Sequence, residues 1–62
     1  MTAKDESKMI AIELRLIAGM VETAGETRSA QAAATLTEET LDRIDTESRN
    51  LRDLKRRFIR ED

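Results

Sequence analysis

From Ser7 to Ala24 the chain repeats apolar residues at helical spacing: Ile10, Leu14, Ile17, Val21 and Ala24 follow one another by 4, 3, 4 and 3 positions. A stripe of that period predicts an amphipathic helix with a heptad-like seam. Met9, Leu16 and Met20 widen the stripe on one side and Ile12 stands off it, so this helix is expected to face more than one neighbour. Asp5 or Ser7 is the expected N-cap, because either offers an oxygen to a free backbone N–H. A second stripe, Leu41, Ile44, Leu51, Leu54 and Phe58, predicts a second helix, with Ser48 and Lys55 interrupting its heptad line.

Between the stripes lies a stretch of small residues, from Gly25 to Thr35, that admits two readings. It is either a turn followed by a short Ala-rich helix, or the thin middle of one long helix. Ala30, Ala32, Ala33 and Ala34 favour helix by propensity. Gly25 disfavours it by about 1 kcal/mol relative to Ala and stands where a C-terminal cap of the first helix would fall. Further on, Thr37 is a candidate N-cap, with Leu36 and Leu41 as a hydrophobic staple and Glu38 and Glu39 in the dipole-favoured first turn. The competing reading leaves Thr37 inside a continuous helix.

The stripes do not share one heptad frame. Continuing forward from Ala24 leads to Arg28, Gln31 and Thr35, whereas continuing back from Leu41 leads to Thr37, Ala34 and Ala30. A turn between Ala24 and Ala34 explains the change of phase, and a continuous coiled coil would need a stammer. The expected architecture is all-α. One helix runs over about 5–24, a small-residue connector over about 25–36 and a second helix over about 37–60, extendable back to Ser29. The two fold as a helical hairpin whose wide stripes a second copy completes, giving a dimeric four-helix bundle. The alternative is one long helix in a coiled coil. The expected core and interface residues are Ile10, Leu14, Ile17, Val21, Leu41, Ile44, Leu51, Leu54 and Phe58.

Length sharpens the expectation of a partner. A chain of 62 residues is at most one domain, and of its apolar residues eight are Ala, leaving fifteen large side chains besides Met1. Each contributes roughly 1.5 to 3 kcal/mol when fully buried, against an ordering cost of about 1.5 kcal/mol for every residue. A single copy has little margin, so a protein partner, and a homo-dimer or higher helical oligomer first of all, is expected.

Composition removes most enzyme chemistry from consideration. Without His or Cys the chain has no Cys/His zinc site, no Ser-His-Asp triad, no thiol nucleophile and no disulfide framework. Phe58 is the sole aromatic residue, which leaves no platform for stacking bases or sugars. Two glycines and no proline make no phosphate-cradling loop. The hydroxyls of Thr27, Ser29, Thr46 and Ser48 have no general base nearby in sequence. Glu38, Glu39, Asp42 and Asp45 are spaced as a solvated helix turn and not as a calcium loop, and a di-metal bundle site needs a Glu-x-x-His that is missing. No enzyme activity, metal or cofactor is expected.

Charge is close to balanced in total, at -2, but polarised along the chain. Between Thr37 and Glu47 five acids (Glu38, Glu39, Asp42, Asp45, Glu47) accompany one base, Arg43. Between Arg49 and Arg60 six bases (Arg49, Arg52, Lys55, Arg56, Arg57, Arg60) accompany one acid, Asp53. Those six are the candidate polyanion contact, the alternative role being to complement the helix dipole and the acids of an antiparallel neighbour. Along the helix Glu39 and Arg43, Asp45 and Arg49, and Asp53 and Arg57 have the i,i+4 spacing of ion pairs. The longest apolar stretch, Met9 to Met20, is interrupted by Glu13 and Arg15 and so does not read as a membrane span. The charged N-terminal residues Lys4, Asp5, Glu6 and Lys8 do not read as a signal peptide, and a cytoplasmic setting is expected.

The segment from Leu41 to Phe58 resembles the C-terminal half of a SNARE coiled-coil motif, with Leu41, Ile44, Ser48, Leu51, Lys55 and Phe58 at layer-like positions. It covers less than a third of the chain, has Thr37 where that family places its central Gln or Arg, and falls out of frame upstream. The resemblance implies a segment of a hetero-oligomeric helical bundle that folds only with its partners. The function expected from the residues themselves is a non-enzymatic protein–protein interaction module, an adaptor, co-chaperone or inhibitor, acting through amphipathic helix packing and self-association. A SNARE-like bundle segment and a nucleic-acid-binding helical dimer using the basic cluster are the alternatives.

Overall fold

A computed structural model of the chain describes residues 2–61, the side chain of Glu61 excepted. Two helices, α1 (Ala3–Glu26) and α2 (Ala30–Glu61), pack against each other as an antiparallel hairpin. The rod they form measures 48 × 15 × 13 Å. The alternative of one long helix is not adopted: the chain reverses over residues 27–29.

The helices start and stop on hydroxyls. Thr2, not Asp5 or Ser7, is the N-cap of α1: its Oγ1 accepts the Asp5 backbone N–H at 3.2 Å, so Asp5 and Ser7 lie inside the helix. At the other end α1 runs through Gly25, which keeps φ out of the left-handed region and therefore is not the expected cap. Two of the final carbonyls are satisfied by Thr27, whose N–H donates to the Ala24 carbonyl at 3.3 Å and whose hydroxyl donates to the Thr23 carbonyl at 2.8 Å. Ser29 then starts α2, its Oγ accepting the Ala32 N–H at 3.2 Å. With that cap ahead of four alanines the helix begins at Ala30, seven residues before Thr37, because propensity and capping act together there. Thr37 is interior, its hydroxyl donating to the Ala33 carbonyl at 2.8 Å, and the connector expected over 25–36 shrinks to the turn itself.

The seam between the helices follows a heptad on each side. On α1 the covered positions are Ala3, Ile10 and Ile17, flanked by the half-buried Glu6, Glu13 and Met20. On α2 they are Thr40, Glu47 and Leu54, flanked by Leu36, Asn50 and Arg57. Ala3, Ile10 and Leu54 form the one buried apolar cluster among the described residues. Much of the rest of the seam is polar. The Thr40 hydroxyl is satisfied inside its own helix by the Leu36 carbonyl at 2.8 Å, and Glu47 Oε1 accepts from Asn50 Nδ2 at 3.3 Å.

Two ion pairs cross the seam and align the helices. Arg43 Nη1 donates to Glu13 Oε1 at 2.8 Å, and Arg57 pairs with Glu6. Arg43 and Arg57 are thus engaged across the hairpin and not with Glu39 and Asp53, as i,i+4 spacing suggests. Asp53 instead takes Arg56 one residue earlier, at 3.2 Å. Bridging two helices holds Glu6 and Glu13 at the seam, whereas an i,i+4 pair on an exposed helix face is worth only about 0.2–0.5 kcal/mol.

Candidate functional site

Of the nine residues expected in the core or interface, the hairpin buries Ile10, Ile17 and Leu54. Leu14, Val21, Leu41, Ile44, Leu51 and Phe58 remain between 40% and 55% exposed. They are not part of the hairpin's own core, and the reason is a rotation of the seam. The helices close on the line Thr40, Glu47 and Leu54 instead of the adjacent apolar line that begins at Leu41. Arg57 and Arg43 meet Glu6 and Glu13 along one side of this seam, and the apolar line of α2 lies on the other.

The outward residues share a face. Leu14 follows the buried Ile10 by four positions, and Val21 follows Ile17 by four. On α2, Ile44, Leu51 and Phe58 follow Thr40, Glu47 and Leu54 by four, and Leu41 follows Thr40 by one. At about 3.5 residues per turn, each of these steps is a rotation in the same sense away from the seam. Equal rotations on two antiparallel right-handed helices lead to the same side of the hairpin, so both helices contribute to one apolar face. At its α2 end Leu51, Leu54, Phe58 and Ile59 line an open groove with Lys55.

The opposite side is uneven. Met9 and Leu16 precede Ile10 and Ile17 by one and are exposed there, but the matching positions of α2 are Glu39, Thr46 and Asp53. Ile12 is 54% exposed and lies toward the back of α1. Only the first face is apolar on both helices.

Sequence periodicity finds the outward line of α2 as a core or interface line but does not separate hairpin core from outer face. What it missed is the polar seam beside it, Thr40, Arg43, Glu47, Asn50 and Arg57, which repeats at the same heptad spacing one residue earlier. The signal was present in the pairing of Glu6 and Glu13 on α1, seven residues apart, with Arg43 and Arg57 on α2.

The basic cluster is partly engaged. Arg57 is half-buried against Glu6 and Arg56 pairs with Asp53, while Arg49, Arg52, Lys55, Arg56 and Arg60 are exposed. Among the described residues no His, Cys, Asp or Glu side chains are grouped to hold a metal ion, and no helix is long and apolar enough to cross a membrane. Every buried side-chain polar atom described has a hydrogen-bond partner. The folded chain presents a large apolar surface beside a satisfied polar seam. Comparison with protein-family models, curated proteins and solved structures finds no match.

Proposed function

We propose that the chain is a non-enzymatic protein–protein interaction module that acts by packing the shared apolar face of α1 and α2 against another helical surface, self-association into a four-helix bundle being the first such contact. The observation that carries this reading is the division of the apolar residues. The hairpin buries Ile10, Ile17 and Leu54 but leaves Leu14, Val21, Leu41, Ile44, Leu51 and Phe58 together on one side. A contiguous apolar surface contributed by both helices is the mark of an interaction site, whereas scattered exposed residues are ordinary. Helix-face packing of this kind reads anchors at heptad spacing and needs no reactive side chain.

Sedimentation equilibrium combined with far-UV circular dichroism over a concentration series tests the proposal. Association with a helical signal that strengthens as concentration rises is the expected result. Leu41→Asp places a charge in the face and is expected to abolish association, whereas Arg56→Ala, which removes an exposed i,i+3 pair, leaves it nearly unchanged. A chain that is monomeric and cooperatively folded at all concentrations, or a Leu41→Asp variant that associates like the parent, refutes self-association through this face.

A further inference from the structure

Resting on the interaction reading above, we infer that the apolar face is covered by a second copy of this chain whose α2 lies antiparallel to the first, with the two-fold axis passing close to Ser48. In that arrangement Asp45 of each chain pairs with Arg52 of the partner subunit.

Three features of α2 lead there. The outward line runs Leu41, Ile44, Ser48, Leu51, Lys55 and Phe58, so its middle is a small residue where two helices can approach closely, flanked on both sides by large apolar ones. The charges are polarised about the same point, with acids before Ser48 and bases from Arg49 onward. Asp45 and Arg52 lie seven residues apart on one flank of that line, three before Ser48 and four after it. Both are exposed and neither has an ion-pair partner among the described residues.

Direction follows from these positions. An antiparallel two-fold at Ser48 sets Asp45 beside the partner's Arg52, and Arg52 beside the partner's Asp45. It also lays Lys55 across the partner's Leu41, where the aliphatic stem covers apolar surface and the ammonium group is carried toward the acidic half of the other helix. A parallel arrangement instead stacks Lys55 on its own copy and carries the Asp45 and Arg52 flanks of the two chains to opposite sides of the seam, where they do not pair. Charge patterns at the flanks of a helical seam select orientation in this way. In the selected orientation each chain satisfies the polarity of the other.

Single-cysteine variants test the geometry cleanly, since the chain has no cysteine of its own. Under mild oxidation Ser48→Cys is expected to form a disulfide-linked dimer, because a position on a two-fold meets itself. Leu41→Cys and Lys55→Cys are each expected to cross-link poorly alone and efficiently when mixed. A charge exchange provides the independent measurement. Asp45→Arg and Arg52→Asp, each alone, are expected to weaken self-association by about fivefold or more at low salt, and an equimolar mixture of the two recovers association as a heterodimer. Circular dichroism of each variant confirms that the helices persist. If sedimentation shows a dimer but Leu41→Cys and Lys55→Cys each cross-link to themselves, or Ser48→Cys fails to cross-link, the antiparallel arrangement is overturned while the interaction reading stands. If the parent chain does not self-associate at all, the antiparallel dimer and self-association through this face fall together.

Discussion

Truncating Ile44 and Ile12 to Ala separates the shared apolar face from mere exposure. Ile44 is 40% exposed in the hairpin and lies on the face contributed by both helices, whereas Ile12 is 54% exposed and lies toward the back of α1. Full burial of such a side chain is worth roughly 1.5 to 3 kcal/mol. Covering the remaining 40% of Ile44 is therefore worth about 0.6 to 1.2 kcal/mol per copy. A symmetric dimer contains the position twice, so Ile44→Ala is expected to weaken dimerisation by about 1.2 to 2.4 kcal/mol, or about 7- to 50-fold in Kd. Ile12→Ala, although it removes the more exposed side chain, is expected to shift Kd less than about twofold, an effect of roughly 0.4 kcal/mol. Analytical ultracentrifugation at several loading concentrations resolves both. Equal weakening by the two substitutions, or none by Ile44→Ala, means that exposure and not the common side governs association, and the rotational reasoning fails.

Four further outcomes test the fold. Gly25→Ala is expected to raise helix stability by about 0.5–1 kcal/mol, since the added Cβ meets nothing within 4 Å and φ is not left-handed; a fall in thermal midpoint would instead restore Gly25 as a cap. Ser29→Ala removes the oxygen that accepts the Ala32 N–H and is expected to cost about 1 kcal/mol, read as a lower midpoint in thermal circular dichroism. Ile17→Ala deletes a side chain only 5% exposed and is expected to cost about 2–5 kcal/mol, so denaturant titration at fixed concentration must show a large loss. Glu13→Gln is expected to cost less than about 1 kcal/mol, because its partner Arg43 is half exposed; a larger loss in the same titration would make the Glu13 pair a dominant part of the seam.

Helix number, the reversal between Ala24 and Ala34 and the all-α class were legible in the residues because a change of heptad phase is a geometric fact that a turn explains. The ends of the helices were less legible. Gly25 and Thr37 carry strong propensities for ending and starting helices, yet Thr27 and Ser29 supplied hydrogen bonds closer to the turn and prevailed. The site was legible in part. Leu41, Ile44, Leu51 and Phe58 were found as a line, but periodicity alone does not say what lies across a line. Deciding that required Glu6 and Glu13, whose pairing with Arg57 and Arg43 becomes visible only when two distant segments are brought side by side.

The turn at residues 27–29 leaves Ala3 packed with Leu54 at the other end of the 48 Å rod, so the start of α1 and the end of α2 lie toward one pole. A hairpin of this shape can be spliced into a surface loop of a host protein without stretching the host backbone, and its tip then projects as a stiff handle. Two such hosts joined through antiparallel handles would be carried at opposite poles of the shared bundle, held apart by a spacer whose length is set by helix geometry and not by a flexible tether.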